Sequence, residues 1–496
     1  MKSLFLKKSV YLILTPAFFI IHAYQEEFGY ISIYEIFALL AYYLILTFVL
    51  YLILDFFFKP KWKNSIVIFY LQIIYFFFSS FHFWLIEITN SSFFSSYSFL
   101  LSLGLLATPL VLLFIYKKLK KQGIFIFWFN LTFSILICTD LCFIIFKILN
   151  PEKESISANF IIARNQINQK SKKNIYFLVF DEYASSISLK NRFNVINKID
   201  TFLLDQKFII IPNSISNYNF TPFSIASILN MSYLKGIKND SITIKEYQKI
   251  NIVIKNSTLI QELQDYGYQI NNLSIFDFKH FPSQIKSEFL LTGSLLITSR
   301  TFFEHIYKDL GWMLFASKTP FKGLIRKAVL QSKNNDIYIF KEIQRISKKE
   351  TKQPSFVYAH FNMPHPPYFY DSSGREREIN TILNEKKFKI DKPSQYISQL
   401  FYTNKKIEEI VNIINSNENG NAIIIIAGDH GYRNNAKGTD HFRNMNAIYL
   451  PQDLHNKLTI DSISMVNEFR LILNLVFNQK NEYLKDSTFF LKDYIQ

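Results

Sequence analysis

The stretch IIIIAGDHGYR, residues 423–433, joins an apolar run to Asp429 and His430. Its continuous isoleucines predict a strand buried on both faces, which is typical of a parallel sheet. Ligands of open parallel sheets bind beyond the carboxyl ends of the strands. Gly428 and Gly431 flank the polar pair and allow the backbone to bend there. The stretch therefore predicts an α/β fold with a ligand site at this strand end.

Other apolar runs alternate with amphipathic stretches along residues 175–496. The pattern predicts strands at 175–180, 208–211, 268–275, 356–360 and 422–427, and helices at 195–206, 258–265 and 395–415. Residues 276–334 carry helical patches with few turn signals and are predicted to be a helical insertion. Alternating strands and helices predict a mostly parallel central sheet covered by helices.

Two more predicted strands end in side chains that can bind a metal. NIYFLVFDEY, residues 174–183, ends in Asp181 and Glu182, and FVYAHFNMPHPPY, residues 356–368, contains His360 and His365. Carboxylate oxygens with imidazole nitrogens suit zinc or manganese. An aspartate after a strand is also a common helix cap, so one such end alone is weak evidence. Three such ends together predict a divalent metal site, with one ion, because a complete second ligand set is lacking.

A nucleophile is available at Thr221, in SNYNFTPFSIASILNMSYL, residues 216–234. Pro222 and the apolar pattern after it predict a helix, with Thr221 as its N-cap. Capping alone would explain the threonine. A hydroxyl at a helix N-terminus also lies where backbone amides favour an anion, and a metal ion would lower its pKa enough for attack on phosphorus.

The first 150 residues are dominated by apolar segments, at 10–24, 33–58, 65–86, 93–116 and 123–148. Most of them reach the roughly 20 residues needed to span a bilayer. The first is short enough for a signal peptide, but four further segments follow it, so a membrane helix is predicted. Lysines precede the first segment and separate the second from the third and the fourth from the fifth. This bias predicts a cytoplasmic amino terminus, five spans in the cell (inner) membrane and an extracytoplasmic domain after them.

These patterns divide the chain into a transmembrane domain at 1–149, a polar linker at 150–174 and a catalytic domain at 175–496. Both cysteines, Cys138 and Cys142, lie in the fifth segment, so the catalytic domain has no disulfide. Asp140 lies between them, either as a functional group or as a carboxyl hydrogen-bonded inside the bundle. Residues 151–496 hold 44 Lys and Arg against 33 Asp and Glu, and this net charge of +11 suits an anionic lipid or polymer, or simply maintains solubility. Nucleic acid is a poor alternative, since no binding motif is present and the compartment is wrong.

Several stretches in this order resemble the sulfatase-like membrane proteins of the alkaline phosphatase superfamily, in particular the phosphoethanolamine transferases and the lipoteichoic acid synthases. They are DEYASS (181–186), SNYNFTPFSIASILNM (216–231), HFNMPHPPY (360–368), GDHG (428–431), MNAIYLP (445–451) and VNEFRLILN (466–474). The resemblance implies that Asp181, Thr221, Asp429 and His430 bind the metal and that Thr221 is the nucleophile. It implies that His365, with His360, contacts the phosphoryl oxygens or the acceptor. His441, in GTDHF, corresponds to a later histidine of the family.

The chain departs from the family at two points. Sulfatases mature a cysteine or serine in a Cys/Ser-x-Pro-x-Arg context, whereas this chain has TPFSI, so hydrolysis of sulfate esters is not expected. The transferases often have glutamate where this chain has Asp181, which leaves Glu182 as an alternative ligand.

The function that follows from the resemblance is a metal-dependent transferase. It would move a phosphoethanolamine or phosphoglycerol type of group from a membrane phospholipid to an envelope glycan or glycolipid, through a covalent threonine intermediate. The alternative is a phosphodiesterase or phosphatase that uses water at the same site.

Overall fold

The computed structural model describes residues 8–89, 91, 93–94, 96–119, 123–150, 172–237, 242, 244–285, 293–307, 322–387, 391–455 and 460–492. The chain forms two compact units. The first comprises Met1–Lys153 and Leu291–Leu314, and the second Glu154–Leu290 and Phe315–Gln496. The predicted linker lies outside the described residues, apart from Asn150 and residues 172–174.

Long apolar helices make up most of the first unit. They are α1 (Tyr11–Glu26), α2 (Ile33–Phe57), α3 (Lys61–Thr89), α4 (Tyr97–Leu113) and α5 (Gly123–Leu149). Four stretches of the described residues are long and apolar enough to cross a membrane: Ile33–Phe57, Lys61–Thr89, Tyr97–Lys118 and Phe125–Leu149. The helix α1 has 16 residues and is not among them, because a span needs roughly 20. Four apolar helices at the amino terminus indicate membrane anchoring.

The Asp140 carboxyl is buried in this unit, and its Oδ1 lies 3.0 Å from Nδ1 of His22 on α1. Ionisable groups at membrane depth face the bundle interior and find a partner there, because an unpaired charge in hydrocarbon is costly. This contact agrees with the second alternative for Asp140, a carboxyl hydrogen-bonded inside the bundle. It links α5 to α1.

Residues 293–307 also belong to the first unit, although the sequence places them within 175–496. Leu296 and Ile297 are buried in one cluster with apolar residues of α1, α2 and α3. The Arg300 guanidinium pairs with the carboxylates of Glu26 and Glu27. Apolar burial and ion pairing thus fix this segment against the helices.

The second unit is built on a six-stranded sheet in the order β2-β7-β6-β1-β5-β4, with a separate parallel pair of β3 and β8. The strands are β1 (Ile175–Phe180), β2 (Ile209–Ile210), β3 (Asn213–Ile215), β4 (Gln269–Leu273), β5 (Ser355–Phe361), β6 (Ile423–Gly428), β7 (Asn446–Tyr449) and β8 (Ser462–Ser464). The strands β6, β1, β5 and β4 are mutually parallel, whereas β7 pairs antiparallel with both neighbours. The predicted mostly parallel sheet is confirmed.

Helices accompany this sheet. They are α6 (Ser186–Phe193), α7 (Ile199–Asp205), α8 (Thr221–Asn230), α9 (Ile244–Lys255), α10 (Thr258–Asp265), α11 (Lys322–Ser347), α12 (Ile379–Lys387), α13 (Pro393–Asn417), α14 (Gln452–His455) and α15 (Glu468–Phe477). The predicted helix 195–206 is shorter in the structure, because regular helix begins only at Ile199. Part of the predicted insertion, 276–334, lies outside the described residues, and its end enters α11.

Both faces of the sheet are buried. Ile423, Ile425 and Ala427 pack in one apolar cluster, and Ile424 and Ile426 pack in a second one. Successive side chains of a strand point to opposite faces, so a strand between two helical layers has to be apolar throughout. Complete burial of each such isoleucine contributes roughly 1.5–3 kcal/mol. The apolar run 423–427 is therefore at the centre of the core.

The strand register brings three strand ends together. Phe180, the last residue of β1, pairs with Phe361 of β5 and with Gly428 of β6. Because these strands are parallel and in step, the residues that follow them leave the sheet at one edge. Asp181 and Asp429 are in this way placed beside each other.

Candidate functional site

Three buried or half-buried side chains converge at this edge of the sheet. One ligand atom from each of Asp181, His360 and Asp429 lies within 4.8 Å of the other two. Asp181 follows β1, Asp429 follows β6, and His360 lies near the end of β5. The first and third were predicted as metal ligands, and His360 was predicted as a residue for metal or substrate.

The Asp429 carboxylate is held by the backbone on one side only. Its Oδ1 accepts hydrogen bonds from the amides of Glu182, at 2.8 Å, and His430, at 2.9 Å. Its Oδ2 is buried and has no hydrogen-bond partner within the described part of the chain. A buried carboxylate oxygen without a partner is unfavourable unless a cation binds it.

The glycines around Asp429 allow neighbouring backbone to pack closely against this strand end. A Cβ on Gly428 would lie 2.3 Å from the backbone oxygen of Tyr183, and a Cβ on Gly431 would lie 2.2 Å from that of Asp440. Neither glycine has a positive φ. The sequence predicted that these glycines let the backbone bend. In the structure they are needed for another reason: a side chain at either position would clash with the neighbouring backbone.

His430 directs a nitrogen lone pair into the site. Its Nδ1 lies 2.9 Å from the Gly431 carbonyl oxygen, so Nδ1 carries the proton and donates it there. Its Nε2 is then an acceptor, 3.4 Å from Asp429 Oδ2 and 3.8 Å from Asp181 Oδ1. Imidazole and carboxylate lone pairs that converge in this way form a natural cation site.

His360 is oriented by its neighbour on the same strand. Its Nδ1 lies 2.9 Å from the Tyr358 hydroxyl, and its buried Nε2 has no hydrogen-bond partner among the described residues. Burial lowers the pKa of His360 to about 4, so the imidazole is neutral at physiological pH. Neutral imidazole with an engaged second nitrogen is the usual form of a metal-ligating histidine. The donor atoms of Asp181, Asp429, His360 and His430 therefore fit a divalent cation.

Thr221 is the first residue of α8 and lies beside this group. Its hydroxyl Oγ1 is 3.4 Å from Asp181 Oδ1 and 3.3 Å from His430 Nε2. The predicted N-cap role is wrong: Phe220 occupies that position, without a capping hydrogen bond from a side chain. The threonine hydroxyl is turned into the site instead. Ser224, one turn later, donates to the Asp429 carbonyl at 2.6 Å and ties the helix to the end of β6.

Glu182 faces a different partner. Its backbone is left-handed, with φ of 62°, and its Oε1 accepts hydrogen bonds from the amide of Arg433, at 2.8 Å, and from its Nε, at 3.3 Å. The side chains of Asp181, His360 and Asp429 form the cation cluster of the described residues, and the Glu182 carboxylate is not part of it. Asp181 is the carboxylate that the turn directs to that cluster.

Arg433 links Glu182 to His365. Its Nη2 lies 3.2 Å from His365 Nε2, while Nδ1 of the same imidazole lies 2.7 Å from the Pro366 carbonyl oxygen. His365 therefore donates through Nδ1 and accepts through Nε2. Sequence reasoning assigned no role to Arg433, because an arginine in a loop after Asp-His carries no signal of its partners.

His441 lies in a 3₁₀ turn, Gly438–His441, and its ring centroid is 4.8 Å from that of Phe490. No hydrogen bond or ion pair joins its side chain to the cation cluster within the described ranges. Its role in catalysis stays a prediction.

Burial and neighbouring charges shift the pKa values of the two aspartates at the site in opposite directions. Burial and the neighbouring Asp429 carboxylate raise the pKa of Asp181 well above its usual range. Burial also opposes ionisation of Asp429, but the imidazoles of His430 and His360 and the hydrogen bonds to its carboxylate hold its pKa below the usual range. A cation would favour the ionised form of both groups.

Parallel strand ends that gather carboxylates, imidazoles and a threonine hydroxyl define an enzyme site on an α/β sheet. The chain belongs to the sulfatase family: the family model named Sulfatase matches residues 190–456, more than half of the chain. It is thus an enzyme of the alkaline phosphatase superfamily. The match includes Thr221, His360, Asp429 and His430. The chain matches no curated protein sequence.

Solved structures of low similarity include the C-terminal periplasmic domain of EcEptC from Escherichia coli in complex with Zn, with 10% identity, a TM-score of 0.40, and 68% of this chain and 95% of that chain covered. The corresponding domain of the phosphoethanolamine transferase EptC from Campylobacter jejuni has 14% identity and a TM-score of 0.34, with 63% and 92% covered. The phosphonate monoester hydrolase SpPMH from Silicibacter pomeroyi has 11% identity and a TM-score of 0.40, with 64% and 75% covered.

Proposed function

We propose that this protein is a membrane-anchored transferase that moves a phosphorus-containing group from a membrane phospholipid to an envelope glycan or glycolipid. The observation that carries the proposal is the position of the Thr221 hydroxyl, 3.4 Å from Asp181 and 3.3 Å from His430, at the cation cluster. A hydroxyl is a weak nucleophile unless a base or a metal ion activates it. Thr221 lies beside a carboxylate that can act as a base and beside side chains that could hold a metal ion.

The reaction has two displacements at phosphorus. In the first, Oγ1 of Thr221 forms a bond to phosphorus and loses its proton, and the bond from phosphorus to the diacylglycerol oxygen breaks. Diacylglycerol leaves with a proton, and the headgroup phosphate stays on the threonine. In the second, an acceptor hydroxyl forms the new P–O bond, the bond to Thr221 breaks, and the threonine regains a proton. Water in place of the acceptor would make the same enzyme a phosphodiesterase.

Asp181, Asp429, His360 and His430 would hold one zinc or manganese ion beside Thr221. When bound, the ion lowers the pKa of the hydroxyl and stabilises negative charge on the phosphoryl oxygens. The α8 N-terminus adds backbone amides and a positive dipole end at the same place. The Asp181 carboxylate, 3.4 Å from Oγ1, lies close enough to accept the Thr221 proton.

The membrane unit supports a lipid donor. Four of its helices can span a bilayer, and the lysine-rich loops favour a cytoplasmic amino terminus with the catalytic unit outside the cytoplasm. Five crossings, with α1 as the first, would give this topology in the cell (inner) membrane. A membrane-held enzyme shares a surface with its lipid donor and with an anchored acceptor.

Phosphate esters are favoured over sulfate esters by the sequence around Thr221. The formylglycine motif of sulfatases begins with cysteine or serine and ends with arginine. In TPFSI, threonine stands at the first of these positions and isoleucine at the last. Threonine itself can still attack phosphorus.

Product analysis tests the proposal. The full-length protein is placed in vesicles of phosphatidylethanolamine or phosphatidylglycerol with labelled headgroups, and diacylglycerol and label are followed with and without an envelope glycolipid extract. We expect diacylglycerol release and transfer of label to the glycolipid. Thr221→Ala should abolish both, whereas Ser227→Ala should retain them, because Ser227 lies on the same helix but donates its hydroxyl proton to the Ser232 carbonyl. Label released as a free phosphate ester regardless of acceptor would establish the hydrolase, and a fully active Thr221→Ala variant would refute the mechanism.

A further inference from the structure

A buried ion pair forms one wall of the site. The Glu182 side chain is 4% exposed, and its Oε1 accepts two hydrogen bonds from Arg433. The guanidinium lies 5.2 Å from the ring of Phe220, the residue before the nucleophile. Arg433 is 27% exposed, so its outer face is open to a bound molecule while its inner face is held.

The pair offers hydrogen-bond donors without net charge. A guanidinium and a carboxylate at this distance cancel, and His365 adds no charge because it donates through Nδ1 and accepts from Arg433 through Nε2. The carboxylates of Asp181 and Asp429 would offset the charge of a bound divalent cation. These charges sum to zero, so the site has no surplus positive charge.

Net charge decides which phosphate esters such a site stabilises. A phosphodiester carries one negative charge, and a phosphomonoester carries close to two at neutral pH, because its second pKa is about 6. In a partly buried site, an uncompensated charge a few ångströms away changes binding far more than in water. A wall with one more positive charge would favour the monoester.

We propose that Glu182 determines substrate specificity: by neutralising Arg433, it makes the site select singly charged phosphodiesters over doubly charged phosphomonoesters. This inference rests on the proposed function, because it assumes attack of Thr221 on phosphorus. It assigns Glu182 a role other than that of a metal ligand, and it matches a donor phospholipid, whose headgroup phosphate is a diester.

Four variants test the proposal. Purified full-length protein with bound zinc or manganese is assayed with bis(p-nitrophenyl) phosphate and p-nitrophenyl phosphate, and the ratio of kcat/KM for monoester to diester is measured. We expect Glu182→Gln to raise the ratio at least tenfold, Arg433→Gln to lower it, and the double variant Glu182→Gln/Arg433→Gln to return it close to that of the wild type. Glu468→Gln is the matched control, since Glu468 is equally buried and hydrogen-bonded to Asn446 away from the cluster, and its ratio should stay unchanged.

The outcomes separate this proposal from the proposed function. An unchanged ratio in Glu182→Gln, with metal content and diester turnover retained, would overturn the specificity role and leave the nucleophile intact. Full activity of Thr221→Ala toward both esters would overturn the proposed function itself. If Glu182→Gln does not fold, the comparison of Arg433→Gln with the double variant decides, because equal ratios in these two would show that the charge of residue 182 has no effect.

Discussion

Nε2 of His430 lies 3.3 Å from Oγ1 of Thr221, although the two residues are 209 positions apart in the chain. The strand β6 delivers the imidazole, and the start of α8 delivers the hydroxyl. The hydrogen bond from Ser224 to the Asp429 carbonyl holds the two elements together. An acceptor nitrogen beside a hydroxyl that also contacts a carboxylate is the geometry expected of an activated nucleophile.

His360 should be required for metal binding. Its Nε2 is buried, has no hydrogen-bond partner in the described part of the chain, and lies in the cation cluster. We expect His360→Gln to weaken zinc or manganese affinity by at least roughly 100-fold, more than the loss of an outer-shell partner. Competition with a chelator of known affinity measures this. The exposed His280→Gln serves as the control, and unaltered affinity in His360→Gln would remove this residue from the site.

Tyr358 should act through His360. Its hydroxyl holds Nδ1 of the imidazole at 2.9 Å and so fixes the nitrogen that faces the cluster. Tyr358→Phe keeps the buried ring and removes only that contact. We expect metal affinity to fall roughly 10- to 100-fold, as for other outer-shell partners, with the thermal midpoint of the metal-free protein little changed. If the thermal midpoint of the metal-free protein fell as much as that of the metal-bound protein, the role of Tyr358 would instead be purely structural.

Gly428→Ala should disrupt the strand end. The new Cβ would lie 2.3 Å from the Tyr183 carbonyl, and backbone cannot move aside as a flexible side chain can. We expect the thermal midpoint to fall by roughly 5 °C or more and metal binding to weaken. Gly104→Ala, which would meet nothing within 4 Å, is the comparison. A Gly428→Ala protein with normal stability would show that this close approach is unimportant.

Asp336 should make stability depend on pH. It is buried, accepts a hydrogen bond from the Asn362 amide at 2.7 Å, and burial raises its pKa to about 7 from an ordinary value of 3.8. Between these values the unfolded chain ionises while the folded chain keeps its proton, so stability is lost as pH rises through this window. Asparagine keeps the acceptor and cannot ionise. Asp336→Asn should therefore match the wild type near pH 4 and melt roughly 5 °C higher at pH 8.

Thermal melts of both proteins across this range, in the same detergent, measure the difference. The exposed Glu350→Gln controls for removal of a carboxylate. If the difference in thermal midpoint between Asp336→Asn and the wild type did not grow with pH, the raised pKa of Asp336 would be contradicted.

Much of the second unit could be predicted from the sequence, because its central strands are apolar on both faces. The runs that end at Asp181, His360 and Asp429 all form strands of one sheet. The strand β7 was missed, since four residues that begin with Asn446 give too short a pattern. The segment 293–307 has no signal that would assign it to the first unit.

The candidate site was predictable as a set of residues, but its contacts were not. Asp181 and Glu182 are adjacent, and only the left-handed turn at Glu182 decides which carboxylate faces the cluster. Likewise, His360 and His365 occur in one short stretch, yet the first joins the cluster and the second contacts Arg433. Such choices depend on backbone angles and on partners distant in the sequence.

The most direct test of the account is the mass of the tryptic peptide 208–235, which contains Thr221. The folded, metal-loaded full-length protein is incubated with excess phosphatidylethanolamine or phosphatidylglycerol without acceptor, quenched with acid and digested. A covalent threonine intermediate predicts an adduct on Thr221 with the mass of phosphoethanolamine or phosphoglycerol, which is absent in Thr221→Ala. An unmodified Thr221 in a protein that releases diacylglycerol from the same vesicles would contradict the covalent mechanism.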